Sequence, residues 1–423
     1  MACTIKTLKA REILDSRGQP TLEVTCITSQ GQEATAGVPA GASTGSREAL
    51  ELRDGDPGRF AGRGVLKAVA AVQTSIRDAL AGMDAIDQCA VDEALIRLDG
   101  TPDKSRLGAN AIVGVSMAVA RAAAAAQGLS LHRCLGGCER LPIPSLNILN
   151  GGAHAGWEGA DFQEYMIQPL GAGSFSEALR WATDIYRALK ALLKARGLRT
   201  GIGDEGGFAP PVRSNREPLD WLVNAIEQAG LRPGTDVALA LDAAANGFHG
   251  DAGYQLRTEG RTLDSEGLID YYADLVRDYP IALIEDGLHE DDWAGWRRLT
   301  ERLGARTTLV GDDIFVTQTA YIQRGIDERC ANAALIKPNQ VGTVTETRAA
   351  MTLAHGSGWS TMVSHRSGET SDDFIADLAV GMGARYLKSG APARGERVAK
   401  YNRLLAIEAE LGARATFAGR QVP

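Results

Sequence analysis

The chain has 423 residues, of which 44% are hydrophobic and 23% charged, as is typical of a globular protein with one small and one large domain. Its formal net charge of −8 argues against the basic surface that general nucleic-acid binding requires, so we expect no nucleic-acid partner. The N-terminus lacks the long apolar segment of a secretory signal. Only Cys134 and Cys138 lie close in sequence, which favours free thiols and a cytoplasmic location over zinc.

The first part of the chain predicts a small α+β domain at residues 1–133, joined by a Gly- and Pro-containing linker at 134–145. Residues 20–39 alternate apolar and polar around a turn, as a β-hairpin does. Helical periodicity predicts three helices, at 64–80, 84–98 and 108–127. The last is the most membrane-like stretch, but its alanines, Ser116 and Arg121 favour a buried helix over a membrane span.

Six short apolar runs in the second half of the chain each end in a residue suited to acid–base chemistry. These residues are Asp242, Glu285, Asp312, Lys337, His365 and Lys388. They lie 23 to 43 residues apart, which leaves room for a strand, a loop and a helix each time. The spacing predicts an α/β fold with a parallel, TIM-barrel-like β/α barrel over 146–423, whose active site collects the strand ends. The helices are predicted at 174–196, 217–229, 264–278, 291–303, 317–328, 343–357, 371–382 and 395–411.

Three of these strand ends predict a metal site. Asp242, Glu285 and Asp312 are hard oxygen ligands of the kind that Mg²⁺ prefers. Asp313 lies farther from the strand and is the weaker candidate. The alternative interpretation is that each carboxylate only caps the helix that follows it.

Two lysines at strand ends suit an anionic substrate with more than one negative charge. Lys337 follows a buried run and precedes Pro338, and Lys388 has the same placement. A surface position is the simpler interpretation of any lysine. Near a metal ion and a second cation, however, the pKa of Lys337 is expected to fall, which would allow it to act as a general base.

The segment SHRSGET places an anion-binding group of residues after another apolar run. Arg366 can bind a phosphate or carboxylate through two hydrogen bonds, and Ser367 beside His365 can complete the cradle. The alternative is a loop that ends in a helix cap.

Two further carboxylates are candidates for a general acid. Glu205 lies in the glycine-rich GDEGGFAP, and Glu164 lies on a predicted strand. Two carboxylates in one pocket raise each other's pKa, which suits an acid that stays protonated near neutral pH. A solvated turn is the alternative for Glu205.

Two glycine-rich segments have the composition of lids or of ordinary turns. GASTG, residues 41–45, offers Ser43 but lacks the spacing of a phosphate-binding P-loop. The segment at 150–164 offers His154.

Long motifs in the same order resemble the enolase (phosphopyruvate hydratase) family over nearly the full chain. They are AREILDSRGQPTLEV, GASTGSREALELRDGD, LGANAIVGVSMA, GDEGGFAP, IEDGL, VGDDIFVTQ, LIKPNQVGT, SHRSGET and KSGAPARGERVAKYNRLL. The resemblance implies an enolase-type barrel with a smaller N-terminal α+β domain, usually as a homodimer. It also implies a Mg²⁺-dependent hydro-lyase, with two Mg²⁺ per site, that interconverts 2-phosphoglycerate and phosphoenolpyruvate.

The resemblance further implies a role for each matching residue. The implied metal ligands are Asp242, Glu285, Asp312 and, with the substrate phosphate, Ser43. The implied catalytic residues are Lys337 as the base, Glu205 helped by Glu164 as the acid, and His365 near the leaving hydroxyl. The implied substrate-binding residues are His154, Ser43, Arg366, Ser367 and Lys388.

The chain departs from the family pattern in two places. Asn246, Gly247 and His249 stand where the family typically has Ser, Glu and Tyr, and the stretch from His154 to Glu164 is one residue longer than usual. Retained chemistry on an altered substrate is therefore an alternative, as in an enolase-like carboxyphosphonoenolpyruvate synthase of phosphonate and phosphinate antibiotic pathways. A third interpretation is a non-catalytic binding protein on the same fold, against which the intact catalytic set argues.

Overall fold

A three-stranded antiparallel sheet begins the chain in the computed structural model, which describes residues 3–41 and 45–420. Its strands pair in the order Ile5–Leu14, Pro20–Thr28 and Glu33–Gly37. The second and third strands confirm the predicted hairpin. The first strand was not predicted, because a register shift near its start breaks the apolar–polar alternation.

Helices pack beside this sheet and confirm the three sequence predictions. The first prediction corresponds to Leu66–Ala71, the π turn Val72–Ile76 and Arg77–Leu80, and the other two to Gln88–Asp99 and Ala109–Ala126. A further short helix, Leu131–Leu135, was not predicted. The helix predicted from residue 84 begins only at Gln88, because the side chain of Asp87 accepts a hydrogen bond from the backbone N–H of Ala90 and caps it.

The alanine-rich helix Ala109–Ala126 is a core element, as predicted. It is long and apolar enough to cross a membrane, but 83% of it is buried inside the protein. It contacts the second and third strands of the sheet. The approach is close at Gly114, where a Cβ atom would lie 2.8 Å from Cγ2 of Val24. The small side chains of this helix therefore allow it to pack closely against the sheet.

A closed eight-stranded barrel forms the rest of the fold and confirms the predicted α/β class. Its strands, from first to eighth, are Ile143–Asn150, Glu164–Gln168, Ala238–Asp242, Ile281–Glu285, Thr308–Gly311, Ala333–Ile336, Ser360–Ser364 and Tyr386–Lys388. The eighth strand pairs with the first and closes the ring.

The second strand corrects the prediction of an all-parallel barrel. It runs antiparallel to both the first and the third strand, whereas the other pairings are parallel. A short connection without a crossover helix, residues 151–163, joins the first strand to the second, so the chain must turn back. As a result Glu164, the first residue of the second strand, pairs with Asp242, the last residue of the third.

All eight helices predicted for the barrel are present. They are Phe175–Ala195, Glu217–Gln228, Ser265–Asp278, Trp293–Leu303, Thr319–Glu328, Val344–Gly356, Phe374–Gly381 and Gly395–Leu411. Side chains cap two of these helices at their N-termini, because Ser174 accepts a hydrogen bond from Glu177 N–H and Asp292 accepts one from Gly295 N–H. A short helix, Pro338–Val341, was not predicted.

Smaller strands lie outside these two units. Arg140–Leu141 pairs with Thr416–Phe417, and a second small sheet contains His249–Gly250, Gly253–Leu256 and Arg261–Leu263. The first barrel strand begins at Ile143, inside the range predicted as the linker. The domain boundaries at 133 and 146 stay a prediction.

The barrel interior is filled by apolar side chains rather than left open. One buried layer consists of Ile143, Met166, Ala240, Leu283, Val310, Ala333, Leu335, Met362, Tyr386 and Ala418. This layer takes at least one residue from each strand, so it holds the ring together and leaves the polar strand ends at the mouth.

Helix Leu131–Leu135 lies close against barrel helix Phe374–Gly381. A Cβ atom on Gly381 would lie 2.4 Å from the carbonyl oxygen of His132, which is backbone and cannot swing away. Glycine at 381 therefore permits the contact between the N-terminal helices and the barrel.

We expect Gly381→Ala to destabilise the protein by about 1–3 kcal/mol, because the added methyl group forces two helices apart. Gly356→Ala is the matched control. It also lies at the end of a helix, but nothing lies within 4 Å of its Cβ position, so the free energy of unfolding should stay the same or rise slightly. Urea unfolding of both variants measures the difference, and equal stabilities would contradict the close contact.

Candidate active site

The mouth of the barrel forms a polar cleft of about 310 Å³. Its walls are His154, Gln163, Glu164, Glu205, Asp242, Asp312, Lys337, Ser364, His365, Arg366, Ser367 and Lys388. The structure therefore brings together nearly all the residues predicted from the sequence. Glu285 is buried and contacts Lys388. Ser43 lies outside the described residues.

The ammonium group of Lys388 is bound by three carboxylates. Its Nζ donates to Oδ2 of Asp242 at 2.9 Å and to Oε1 of Glu285 at 2.8 Å, and it lies 3.1 Å from Oε1 of Glu164. Burial alone lowers the pKa of Lys388, but the carboxylates outweigh it and raise that pKa well above the usual value. Lys388 is therefore a permanent positive charge in the cleft.

The second lysine is paired with a predicted metal ligand. Lys337 forms an ion pair with Oδ2 of Asp312, and Nε2 of Gln340 donates to Oδ1 of the same carboxylate at 2.9 Å. Burial lowers the pKa of Lys337, but Asp312 outweighs burial, so the pKa is raised. The lower pKa expected beside a bound metal ion stays a prediction.

The predicted ligands suit a divalent cation by their chemistry. Oε2 of Glu285 is buried, with no hydrogen-bond partner in the described part of the chain. Burial, reinforced by Asp242, raises the pKa of Glu285 to about 8. A cation near Asp242 and Glu285 would give the unpaired oxygen a partner and offset the clustered negative charge.

The most compact groups of possible ligand atoms differ from the predicted triad. Within residues 3–41 and 45–420, ligand atoms lie within 4.8 Å of one another in two groups. The groups are His154 with Glu164 and Glu205, and Asp286 with Asp312 and Asp313. The ammonium groups of Lys388 and Lys337 instead hold the carboxylates of the triad.

The two candidate acids have opposite pKa shifts. Burial, with the charges of Glu205 and Asp242, raises the pKa of Glu164 well above its usual range. Burial also raises the pKa of Glu205, but its neighbours His154, His365 and Arg397 outweigh burial and hold the pKa well below that range. The expectation that both pKa values rise is wrong for Glu205, because it did not include the surrounding bases.

His365 is held in one tautomer by Arg397, which sequence reasoning missed. The guanidinium Nη1 of Arg397 lies 2.5 Å from Nδ1 of His365 and can only donate, so the ring proton lies on Nε2. This Nε2 is 3.4 Å from Oε2 of Glu205. Burial lowers the pKa of His365 to about 3, so the ring is neutral.

Arg366 and Ser367 lie together at the mouth. Arg366 donates to both oxygens of Glu48, at 2.9 and 3.2 Å, and to Oδ1 of Asn339 at 2.9 Å. Oγ of Ser367 lies 3.3 Å from Nε2 of His154. Glu48 comes from the N-terminal part of the chain, so that part directly orients Arg366, a predicted anion-binding residue of the barrel.

Several orienting side chains were missed by the sequence analysis. Amide groups donate to the site carboxylates: Asn147 to Glu205 at 3.1 Å, and Gln163 to Asp242 at 3.2 Å. Neutral amides give no pattern that separates them from other polar residues. Arg397 and Glu48 lie within motifs that resemble the enolase family, and this resemblance was the one indication in the sequence that they belong to the site.

Comparisons with known proteins agree with this architecture. The family described as "Enolase, N-terminal domain" matches residues 5–135, and the family described as "Enolase, C-terminal TIM barrel domain" matches residues 139–423. Enolase 2 of Pseudomonas syringae pv. syringae (strain B728a) is 57% identical over 421 residues, which cover 99% of each chain. Enolase 1 of Methanospirillum hungatei JF-1 is 58% identical over 420 residues, covering 99% of this chain and 98% of the relative.

The barrel, its charged mouth and the N-terminal part that completes it define a β/α-barrel enzyme of the carbon–oxygen lyase class. The chain belongs to the enolase family, which confirms the resemblance, and it is an enolase-type hydro-lyase.

We expect His365 to make stability depend on pH. Its pKa is about 3 in the folded protein and about 6.5 unfolded, so below pH 6.5 only the unfolded chain gains the proton. Stability is therefore lost as pH falls, by about 2 kcal/mol between pH 7 and pH 5 from this group. Urea unfolding at both pH values should show that His365→Gln loses about that much less than the unsubstituted protein. Equal losses would contradict a neutral buried ring.

Proposed function

We propose that this protein catalyses the reversible dehydration of 2-phosphoglycerate to phosphoenolpyruvate. One observation carries the proposal: the candidate base and acid lie on opposite sides of the same cleft. Lys337 follows the sixth strand, and Glu164 begins the second, which is four strands away in either direction around the ring. A base on one side and an acid on the other suit the removal of a proton and a hydroxyl group from neighbouring carbons.

Lys337 is proposed to remove the proton at C2. Its ammonium group is paired with Asp312, and burial and Arg366 both act to lower its pKa. When the Asp312 carboxylate is engaged elsewhere, the largest effect that raises this pKa is lost, which favours the neutral amine. The ion pair thus makes the protonation state of Lys337 depend on what Asp312 binds.

We propose that Asp242, Glu285 and Asp312 hold one Mg²⁺ and that Ser43 contributes to a second. The unpaired Oε2 of Glu285 and the cluster of oxygen ligands support this assignment. Bound Mg²⁺ supplies positive charge that stabilises the negative charge developing on the substrate carboxylate. Lys388 supplies a further fixed positive charge in the same cleft.

Glu205 and Glu164 are proposed to share the proton that is given to the departing C3 hydroxyl. The pKa shifts favour the proton on Glu164, while Glu205 stays close to His365. Because these carboxylates interact with their neighbours, the proton belongs to the pair rather than to one residue. The neutral His365, with its proton on Nε2, is set to donate a hydrogen bond toward Glu205.

Arg366, Ser367 and His154 are proposed to bind the phosphate. Arg366 is fixed by Glu48 before any substrate arrives, which lowers the entropy cost of binding. The 3.3 Å separation between Ser367 and His154 places two hydrogen-bonding groups at one point of the cleft. A small phosphorylated anion is therefore the proposed substrate, and a homodimer and a cytoplasmic location are proposed from the family resemblance.

We expect Lys337→Ala to lower turnover of 2-phosphoglycerate by roughly 10²–10⁴-fold, because it removes the base. The rate of enol absorbance with Mg²⁺ present measures this. Lys190→Ala is the control, since Lys190 is exposed on a barrel helix and should leave the rate unchanged. A Lys337→Ala rate within threefold of the unsubstituted protein would exclude Lys337 as the base.

The alternative substrate is tested by a direct comparison. With Mg²⁺, we expect efficient turnover of 2-phosphoglycerate and slower turnover of analogues that carry a phosphonate or a larger phosphoryl substituent, because Arg366 and Ser367 are already fixed in the cleft by Glu48 and His154. Faster turnover of the phosphonate analogue would favour the carboxyphosphonoenolpyruvate synthase interpretation instead. No turnover of either compound with metal bound would favour the binding-protein interpretation.

A further inference from the structure

The two places where the chain departs from the family pattern contact each other in the structure. Trp157 belongs to the lengthened segment between the first and second barrel strands, and Gly247 lies in the altered turn after Asp242. A Cβ atom on Gly247 would lie 3.1 Å from Cη2 and 3.3 Å from Cζ2 of Trp157. The ring therefore lies on the face of a residue that has no side chain.

A guanidinium group also contacts the Trp157 ring. Arg257 lies over the ring with its Cζ 4.9 Å from the centroid, a distance at which a cation is attracted to an aromatic face. Trp157 is still 37% exposed. Its ring is thus held by Gly247 and Arg257 at the rim rather than buried in the core.

The turn that receives the ring is itself fixed. Nδ2 of Asn246 donates to Oδ2 of Asp313 at 2.9 Å, and Oδ1 of Asn246 accepts from the N–H of Glu290 at 2.9 Å. The N–H of Ala245 donates to the carbonyl of Asp286 at 3.1 Å. The turn that contains Gly247 is therefore held by the loops after the fourth and fifth barrel strands.

A backbone hydrogen bond links Trp157 to the turn that contains His154. A short 3₁₀ turn, Gly152–Ala155, contains His154, and the N–H of Trp157 donates to the carbonyl of Gly152 at 2.9 Å. Trp157 has φ = +61°, which is unusual for a large side chain and needs support from its contacts. Nε2 of His154 lies 3.7 Å from Oε1 of Glu205, and Nδ1 lies 4.0 Å from Oε1 of Glu164.

We propose that Trp157 is a positioning residue that acts through His154. Packing of the ring between Gly247 and Arg257 holds the turn Gly152–Ala155 against the mouth and places the His154 imidazole over the acid pair and Ser367. Glycine at 247 leaves room for the ring of tryptophan at 157, so the two departures form one unit. The effect on turnover rests on the proposed function, but the position of His154 does not.

Histidine signals test the position of His154 without any turnover. The chain has six histidines, so the His154 imidazole resonance is assigned in ring-labelled protein by its loss in His154→Ala. Trp157→Ala and Gly247→Val should each shift this resonance, and Trp157→Phe should restore it. Arg324→Ala is the matched control, because it removes a similar guanidinium–ring contact with Trp293, outside the cleft, and should leave the signal in place. An unshifted His154 signal in folded Trp157→Ala would overturn the proposal.

Double-substitution cycles on 2-phosphoglycerate turnover test whether Trp157 acts through His154. Trp157→Ala should lower kcat/KM by about tenfold, the scale of a cation–aromatic contact together with its apolar packing. It should cause no further loss in the His154→Ala background, and Gly247→Val should cause none in the Trp157→Ala background. Full additivity in either cycle would overturn the proposal. Absence of turnover in the unsubstituted protein would defeat the proposed function alone, since the histidine signals would still decide the role of Trp157.

Discussion

The ammonium group of Lys388 lies within hydrogen-bonding distance of carboxylates from three other barrel strands, and the site depends on this contact. Glu164, Asp242 and Glu285 are all buried, and burying three carboxyl groups together costs much free energy unless opposite charge, hydrogen bonds or protonation compensate. Lys388 supplies that charge from the eighth strand. The same contact ties the second, third, fourth and eighth strands together at the mouth, so the geometry of the site and the closure of the barrel are linked.

The remaining charged groups are held by parts of the chain far from them in sequence. Glu48, from the N-terminal part, binds Arg366 of the barrel, and Gln340 bridges Glu48 and Asp312. Arg397, from the last long helix, donates to the backbone carbonyls of Arg366 and Ser367 and fixes His365. The groups proposed to react are therefore oriented before a substrate binds, which is how a protein stabilises developing charge without reorganising at the moment of reaction. Neither the barrel nor the N-terminal sheet alone contains a complete site.

The two sides of the cleft, one with the proposed acid Glu164 and the other with the proposed base Lys337, are built differently. The cause is the antiparallel second strand and the segment before it. Lys337 follows a strand that is parallel to its neighbours, whereas Glu164 begins a strand that returns. The segment that makes this return also carries His154 and Trp157 and leads directly into Glu164, whereas Glu205 comes from the later loop after helix Phe175–Ala195. Apolar periodicity cannot reveal this, because a buried strand has the same pattern in either direction. The short connection between the first and second strands determines that the second strand runs antiparallel.

Sequence patterns by themselves determined the class of fold, the eight barrel helices, and the polar residues that lie at the barrel mouth. They did so because strand and helix periods are local, and because strand ends in a barrel must share one edge. The family resemblance added the role expected of each of these polar residues. Only the tertiary structure decided the direction of the second strand, the Lys337–Asp312 ion pair, the opposite pKa shifts of Glu164 and Glu205, and the contact of Trp157 with Gly247. Each of these depends on distances between groups far apart in the chain, and charge–charge and packing energies are set by such distances and by burial, which no local pattern contains.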